Sequence, residues 1–231
     1  ICLFPILHHS DGSDMKIISY ICLFLLAAVI LFGCGNSMTS DTTQTPGTIE
    51  QLFPLKYGNY WMYDVKLYDT NGVKTEERTD TWEVHTSRDT LGHTLFPLFM
   101  NNHVSEYFFE GNKLFVFAGQ PILTLQYPMS IGQVITLQSD SVMFPGDTFR
   151  IRVELICDGI NVNIDLGFEK FTCVKYHDLT ITGKNNIADT AWYSYKWYSL
   201  NRGLVKEDFF GYTDRKKYLS GTMQLTGYHL N

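Results

Sequence analysis

Three histidines are the first residues of this sequence to consider for chemistry. His85, His93 and His103 are separated by eight and ten residues, and on neighbouring strands two of them could meet, as a zinc site requires. No Cys or carboxylate stands beside them at a spacing typical of zinc ligands. We therefore expect solvated or ordinarily hydrogen-bonded histidines and no metal.

Carboxylates form a second candidate group, close together in the sequence: Asp64, Asp69, Glu76, Glu77, Asp80 and Glu83. Such a group could supply the acid pair of a glycoside hydrolase or a Ca²⁺ site. In a Thr-rich segment that also carries Arg78, a charged edge strand is the simpler interpretation. Tyr176, His177 and Asp178 offer no stronger case.

Established catalytic motifs are missing from the sequence after residue 49. It contains no G-x-S-x-G, no H-E-x-x-H, no glycine-rich phosphate loop and no C-x-x-C. We expect a protein that is not an enzyme, with no catalytic residues and no cofactor. The net charge of −6, without any Lys/Arg-rich run, also argues against nucleic acid as a partner.

Five cysteines are present, and two of them, Cys157 and Cys173, fall in the region expected to fold. If the chain turns near Asp165, the two would lie opposite each other in a hairpin and could form a disulfide in an oxidising compartment. Free cysteines are also commonly buried as small apolar residues. The sequence leaves both alternatives open.

The segment from Met15 to Cys34 has the order of an export signal. Lys16 precedes an apolar run over 17–32, which ends in Leu-Phe-Gly-Cys. As a helix, 16 residues would span about 24 Å, short of the roughly 30 Å of a bilayer core. The ending resembles the lipobox of bacterial lipoproteins, which implies cleavage between Gly33 and Cys34 and a lipid on Cys34, with palmitate among its acyl groups.

The signal divides the chain into four parts. Residues 1–14 are interpreted as upstream sequence translated from a start assigned too early, and 15–33 as the signal peptide. Residues 34–48, rich in Ser, Thr and Gly, would be a flexible tether. Residues 49–231 would be one domain. Gly35 after the lipidated cysteine favours the outer membrane by the sorting rule of enteric bacteria.

From residue 59 onward the pattern is that of successive β-strands. Alternating residues over 59–69 and a strand over 73–86 flank Thr70-Asn71-Gly72, a strong hairpin signal. Further strands are predicted at 94–100, 104–110, 113–118, 122–127, 133–138, 148–157, 168–182, 190–199, 203–212 and 217–229. Turn residues separate them, and a short helical turn could occur at 49–52 or 129–131. We predict an all-β, mainly antiparallel domain, either a curved half-barrel or barrel-like sheet or a two-sheet β-sandwich.

Three patches resemble secreted envelope lipoproteins of the Bacteroidota. The first runs from Phe53 to Tyr63 and fits F-P-L-x-x-G-N-x-W-x-Y, with Gly58, Trp61 and Tyr63. The second, from 197 to 206, fits W-Y-x-x-x-x-G-x-V-K and contains Trp197, Tyr198 and Gly203. The third, 167–176, fits less well because Glu169 and Lys170 replace small residues. Such domains look akin to the half-barrels of periplasmic lipoprotein carriers, and we interpret these six residues as determinants of the fold.

These features predict a lipid-anchored envelope protein with a non-catalytic binding domain. Its partners would be the membrane, through the N-terminal lipid, and either a hydrophobic ligand or an envelope protein. A glycan or peptide hydrolase that uses carboxylates, and a structural part of a surface assembly, remain as alternatives.

Overall fold

The computed structural model describes residues 47–231 except 91, 145, 146, 185, 186, 214 and 215, and within strands it leaves the side chains of 140–150 and 184–191 undescribed. The described residues belong to one compact unit, Pro46–Asn231. The predicted extension, signal peptide, cleavage site and lipidated cysteine lie outside them. No helix among the described residues is long and apolar enough to span a membrane.

One short helix, α1 (Ile49–Leu52), precedes the strands. Thr48 caps it: the Thr48 hydroxyl accepts from the backbone N–H of Gln51, and the Gln51 side chain accepts from the backbone N–H of Thr48 at 2.9 Å. This reciprocal pair satisfies two amides that the helix cannot. Ile49 and Leu52 are buried, so the helix contributes its apolar side to the core.

Thirteen strands follow within the described part of the chain. The first seven are β1 (Tyr60–Tyr68), β2 (Lys74–Val84), β3 (Arg88–Thr90), β4 (His93–Met100), β5 (His103–Glu110), β6 (Lys113–Phe117) and β7 (Pro121–Gln126). The remaining six are β8 (Val134–Phe144), β9 (Asp147–Asp165), β10 (Lys170–Lys184), β11 (Ile187–Ser199), β12 (Gly203–Thr213) and β13 (Lys216–His229).

Twelve of these strands form a continuous antiparallel sheet in the order β7-β6-β5-β4-β2-β1-β13-β12-β11-β10-β9-β8, and β3 pairs with β4. The sheet curls into a nearly closed, barrel-like form. The predicted all-β class and its barrel-like version are therefore confirmed, and the sandwich alternative is not adopted. Most side chains of the core, among them Trp61, Tyr63, Tyr176 and Tyr198, lie on one face, called the inner face below; the opposite face is the outer face.

The first hairpin forms where the sequence predicted it. Gly72 has φ +77°, and the Asp69 side chain accepts from the backbone N–H groups of Asn71 and Val73, both at 2.9 Å. Asp69 thus holds the turn together while Gly72 takes the left-handed conformation that side chains disfavour.

Strand β9 is longer than predicted. The sequence places its end near Cys157, whereas the strand continues to Asp165. Its register with β10 is irregular beside Lys175, and Asn161 adopts φ +59°. Bulges of this kind let a strand continue through residues that interrupt the alternating pattern.

The register also separates the two cysteines. Cys157 lies opposite Tyr176, and Cys173 lies opposite Val162. Three residues along a strand span about 10 Å, beyond the roughly 7 Å between Cα atoms that a disulfide can bridge. The expectation that they face each other is wrong, and both are free, buried thiols. Burial raises the pKa of Cys157, and raises that of Cys173 to about 12.

Candidate functional site

Two of the sequence patches meet at one end of the sheet. The Trp61 indole N–H donates to the backbone carbonyl of Arg202 at 2.5 Å, and the Tyr63 hydroxyl donates to that of Leu204 at 3.0 Å. Between these acceptors, Gly203 has φ +87°, and a Cβ there would lie 3.2 Å from the Trp61 indole nitrogen. The turn between β11 and β12 is thereby fastened to β1.

Gly58 performs a similar role for the C-terminus. It has φ +79°, and a Cβ there would lie 2.6 Å from the Asn231 side chain. Asn231 in turn donates from its backbone N–H to the Asn59 side chain at 2.8 Å and from its amide to the carbonyl of Tyr57 at 3.0 Å. The absence of a side chain at Gly58 therefore makes room for the last residue of the chain.

Helix α1 and the residues after it fill the inner face at this end, which we call the closed end. Phe53 lies 6.4 Å from the Trp61 ring, 6.2 Å from the Tyr198 ring and 5.9 Å from the Tyr107 ring, measured between centroids. Tyr176 is fully buried and donates to the carbonyl of Gln126 at 3.1 Å. The closed end is occupied by the protein's own side chains.

Further along the inner face, three charged side chains from neighbouring strands meet. The Lys196 ammonium on β11 donates to Asp178 Oδ2 on β10, and its Nζ lies 3.7 Å from Glu207 Oε1 on β12. Strand register explains these contacts. Lys196 pairs with Glu207 on β12 and with Tyr176 on β10, and Asp178 is the next inner-face residue after Tyr176 on β10. We call these three residues the charged cluster.

Electrostatics in the cluster follow from its position. Burial acts to lower the pKa of Lys196, but the neighbouring Asp178 and Glu207 outweigh it and hold that pKa well above its ordinary value. Burial raises the pKa of Glu207, which Lys196 opposes and Asp178 reinforces. A hydrogen bond with Ser194 also favours the charged form of Glu207. Lys196 is thus firmly cationic, whereas Glu207 is the group most ready to take a proton.

The inner face is not uniformly buried. Although Lys196 belongs to the inner face, its side chain keeps 23% of its exposure. Apolar side chains packed against the core are likewise only partly buried: Leu67, Trp82, Phe96, Met100, Tyr107, Phe109, Ile135, Leu137 and Phe209. On β11 the inner-face series ends in Trp192, which is 43% exposed. Away from the closed end, the inner face therefore combines half-buried apolar side chains with charged ones.

The outer face of the same strands carries lysines on aromatic rings. Lys175 lies 3.8 Å from the Tyr195 centroid, and Lys206 lies 4.7 Å from that of Trp197. Lys217 lies 3.7 Å from the Tyr193 centroid. Such contacts join electrostatic attraction with coverage of the ring by the lysine stem. Of the adjacent motif residues, Trp197 therefore belongs to the outer face and Tyr198 to the inner face.

The three candidate histidines are not brought together as ligands. His85 stacks on Phe99 with centroids 3.8 Å apart, and His93 packs on Phe108 at 4.2 Å. His103 is hydrogen-bonded to Ser105. Across the residues that the structure describes, no group of three or more His, Cys, Asp or Glu side chains is arranged to hold a metal ion.

The carboxylates of the first hairpin face cations. Lys66 pairs with Asp64 at 2.9 Å and with Glu77 at 3.5 Å, while Arg78 pairs with Asp80 at 2.9 Å and also contacts Glu76. Contacts to backbone N–H groups, chiefly that of Val73, lower the pKa of Asp69. These contacts hold a charged hairpin together.

The charged cluster is what sequence reasoning missed. The sequence pattern makes no case for Asp178, Lys196 or Glu207, because each stands alone in a strand pattern. The available signal was the segment 192–199, in which a lysine occupies the same alternate positions as the buried Ser194 and Tyr198. A charge at such a position needs a partner on an adjacent strand.

No protein-family model and no curated protein sequence matches the chain. Three solved structures do match the chain. A Bacteroides fragilis protein described as exported, with a YmcC-like fold, is 13% identical at a TM-score of 0.45, covering 77% of this chain and 98% of its own. A Parabacteroides distasonis protein described as a lipoprotein is 13% identical at 0.44, with the same coverage.

A third structure, a LolA-superfamily protein from Nitrosomonas europaea, is 11% identical at a TM-score of 0.24, covering 80% of this chain and 90% of its own. All three TM-scores lie below 0.5. At these scores they carry no argument about what the chain binds.

Proposed function

We propose that this protein is a lipid-anchored component of the bacterial cell envelope whose β domain binds a hydrophobic small molecule on its inner face. The observation that carries the proposal is the exposure of Lys196. The side chain of Lys196, whose ammonium is held by two carboxylates on the inner face, keeps 23% of its surface accessible, so the inner face is not completely covered at that level.

The lining supports this function. Small-molecule sites are usually concave and mostly apolar, with a few polar groups that orient the ligand. Here half-buried side chains such as Trp82, Met100 and Phe209 supply apolar surface, and the charged cluster supplies the polar groups. An apolar ligand would gain about 25 cal/mol for each Å² removed from water.

The anchor is the second part of the proposal. Signal peptide 15–33, lipid attachment at Cys34 and the tether 34–48 would place the domain at a membrane, and Gly35 favours the outer one. Labelling cells with radioactive palmitate is expected to mark the wild-type protein and not the Cys34→Ala variant. A mature chain that keeps residues 17–33 on intact-mass analysis would contradict the anchor while leaving the binding domain untouched.

Native mass spectrometry of the protein from its own host tests the binding function. We expect a co-purifying apolar molecule of defined mass that is lost on denaturation. Leu67→Trp, which adds bulk to the inner wall, should reduce its occupancy, whereas Tyr68→Trp, at the next residue on the opposite face, should not. A clean protein mass in all three would contradict the proposal and favour an envelope protein partner or a structural role.

A second candidate has a specific observation in its favour. Asp178 and Glu207 both approach one ammonium nitrogen, and the pKa of Glu207 is raised by burial. Two nearby carboxyl groups, one of which has a raised pKa, are a feature of carboxylate-dependent hydrolases. Release of fragments from envelope glycans or peptides by the wild type, and not by Glu207→Gln or Asp178→Asn, would establish this activity; equal inactivity of all three would remove it.

A further inference from the structure

Exposed apolar side chains gather at one end of the sheet. Among the described residues, five large apolar side chains keep more than half of their surface accessible, with exposures of 51–67%: Tyr57, Val73, Ile131, Val134 and Phe168. Four of them, all except Val73, belong to the closed end, and we call these four the rim residues. Exposed apolar side chains that collect in one region mark a contact site, whereas isolated ones carry no such meaning.

Strand order explains why the rim residues share an end. Tyr57 precedes β1, Ile131 and Val134 lie in the connection from β7 to β8 and at the start of β8, and Phe168 lies in the turn from β9 to β10. Neighbouring strands of an antiparallel sheet reverse direction, so these connections leave the sheet at the same end. Val73, in the turn between β1 and β2, lies at the opposite end.

The rim residues are spread around the closed end. β1 is in the middle of the strand order, whereas β7 and β8 are its two extremes and β9 and β10 follow β8. A small molecule or a single peptide strand would cover one of these connections. A broad, flat surface would cover them together.

Hydrogen bonds fix two of these connections in place. The carbonyl of Tyr57 accepts from the Asn231 amide at 3.0 Å. Next to Phe168, the Glu169 carboxylate accepts from the Tyr228 hydroxyl at 2.7 Å. The backbone therefore presents these apolar side chains to the outside instead of leaving them free to fold inward.

The chain also enters the domain at this end. A Cβ at Gly47, the first described residue, would lie 2.7 Å from the Leu200 side chain in the turn between β11 and β12. If Cys34 carries the lipid, thirteen residues, 34–46, separate it from this point. A tether of that length would have an end-to-end distance of about 20 Å. The closed end would then be the part of the domain nearest the membrane.

We propose that the closed end rests on the lipid bilayer into which the anchor inserts, with the rim residues placed among the lipid head groups. This inference rests on the proposed anchor and adds a second, non-covalent contact between the protein and the membrane. Aromatic and aliphatic side chains suit the boundary between head groups and acyl chains. A tether of this length also gives a high effective concentration, so contacts that are weak alone suffice.

Apolar contact, and not charge, supplies the attraction. Lys56 and Lys170 stand beside Tyr57 and Phe168 in the sequence, but Lys170 lies 3.5 Å from Asp165, and the closed end carries exposed acidic side chains as well. Lipids without net charge should therefore be sufficient, and phosphatidylcholine vesicles are the probe.

The chain 34–231 can be attached to such vesicles without its natural lipid. Cys157 and Cys173 are buried and burial raises the pKa of both thiols, so a maleimide lipid should react with Cys34 alone at neutral pH. Bromine on the acyl chains quenches a tryptophan that reaches them. The added fluorescence of Phe168→Trp should be quenched severalfold more than that of Val73→Trp, the matched control at the opposite end. The wild type supplies the background of its four tryptophans.

Binding without any attachment gives a second readout. With Cys34→Ser, flotation with the same vesicles measures the partition of the free chain. Phe168→Ser and Ile131→Ser should each lower it about three- to tenfold, the effect of losing one partly inserted apolar side chain. Val73→Ser is the control and should leave the partition unchanged. Melting temperatures should stay close to that of the wild type, because all three side chains are exposed.

Equal quenching of Phe168→Trp and Val73→Trp, or equal partition of the rim and control variants, would overturn the membrane contact. A dimer of the free chain in sedimentation, dissociated by Phe168→Ser, would assign the rim residues to a second copy instead. The lipid in the quenching experiment is attached chemically. Loss of palmitate labelling would therefore remove the proposed anchor, whereas equal quenching would remove the membrane contact of the domain, and the two failures are distinct.

Discussion

Two lysines on neighbouring strands show how differently the two faces of this sheet treat the same side chain. Lys196 on the inner face and Lys175 on the outer face have almost equal exposure, 23% and 25%. Lys196 is held by Asp178 and Glu207. Lys175 lies 3.4 Å from Asp158 and over the rings of Tyr195 and Trp197, at 3.8 and 5.5 Å. Exposure alone therefore does not describe the environment of a lysine.

The two faces accommodate a lysine side chain in different ways. Antiparallel sheets usually bury one face and solvate the other with polar residues. Here the outer face of β11 is aromatic as well, and Trp197 is only 8% exposed. Lysine stems cover those rings while their ammonium groups stay in water. On the inner face water is scarce, so a lysine persists only with carboxylates beside it.

Replacing each lysine by methionine should give the largest difference in stability between the two faces. Lys196→Met leaves two carboxylates without a cation in the interior, and removing one partner of a buried pair costs about 3–5 kcal/mol. Lys175→Met keeps the apolar stem over the rings and should cost about 1 kcal/mol or less. Urea unfolding at pH 7.5 measures both free energies.

The matched exposures make Lys175→Met the control for loss of a charge. The double variant Asp178→Asn with Lys196→Met should recover part of the loss, because fewer unpaired charges remain. Equal costs for the two single variants would mean that the inner cluster is as well solvated as the outer face, and the comparison would fail.

The closed end gives the next largest effect, since the inner face depends on it. Gly203→Ala adds a Cβ at φ +87° against Trp61, and we expect a loss of about 2–3 kcal/mol. Gly72→Ala is the control, because it has φ +77° with nothing within 4 Å of the added atom. The Gly72→Ala variant should lose about 1 kcal/mol of stability, because only its backbone conformation is unfavourable. Thermal unfolding separates the two, and equal losses would remove any role for the Trp61 contact.

The pH dependence of stability should come chiefly from the inner face. The pKa of Glu207 is raised in the folded state. At pH values above about 4.3, where the unfolded chain has lost the proton of this carboxyl, the folded protein therefore still keeps it. Stability therefore falls as pH increases through the folded pKa and stays lower above it. Glu207→Gln should lack this fall in urea unfolding between pH 4 and 8. A variant with the wild-type slope would assign the fall to another group.

At high pH the same direction holds for Lys196, whose pKa is raised above 10.5. Its contribution is complete below about 10.4, the unfolded value, and is lost as pH rises through the folded pKa. The wild type should therefore weaken above pH 10 more than Lys196→Met does.

Local patterns allowed much of this architecture to be predicted from the sequence. The hairpin around Gly72 and the all-β class follow from turn residues and alternation, which act over a few residues, and a helical turn at 49–52 was one of two positions that the sequence allowed. The motif patches were identified as fold residues, and Trp61 and Tyr63 do fasten β1 to the turn at Gly203. That pairing spans 141 residues, and no local rule predicts it.

The charged cluster could not be predicted for the same reason. Asp178, Lys196 and Glu207 lie on three strands, and their meeting depends on two registers, one with an irregularity between Trp197 and Tyr198. A shift of one residue would send Lys196 to the outer face. The cysteines show the same limit, because the hairpin pairs Asp165 with Lys170 instead of turning at Asp165, and this offsets Cys157 from Cys173. Register comes from the packing of the whole sheet.

The outer face should give the smallest effect. Lys217 lies 3.7 Å from the Tyr193 centroid and 4.1 Å from that of Phe210, and it is exposed. Lys217→Met should cost about 0.5–1 kcal/mol, seen as a small drop in melting temperature, while Lys217→Arg should keep it. Lys216→Met, at the exposed neighbouring residue, is the control and should be close to neutral. Because a ring quadrupole is screened less by salt than an exposed ion pair, the loss should persist at 0.5 M NaCl. A loss that vanishes in salt would mean that the outer lysines, like Lys196, are held by charge, and the two faces would then differ in solvation alone.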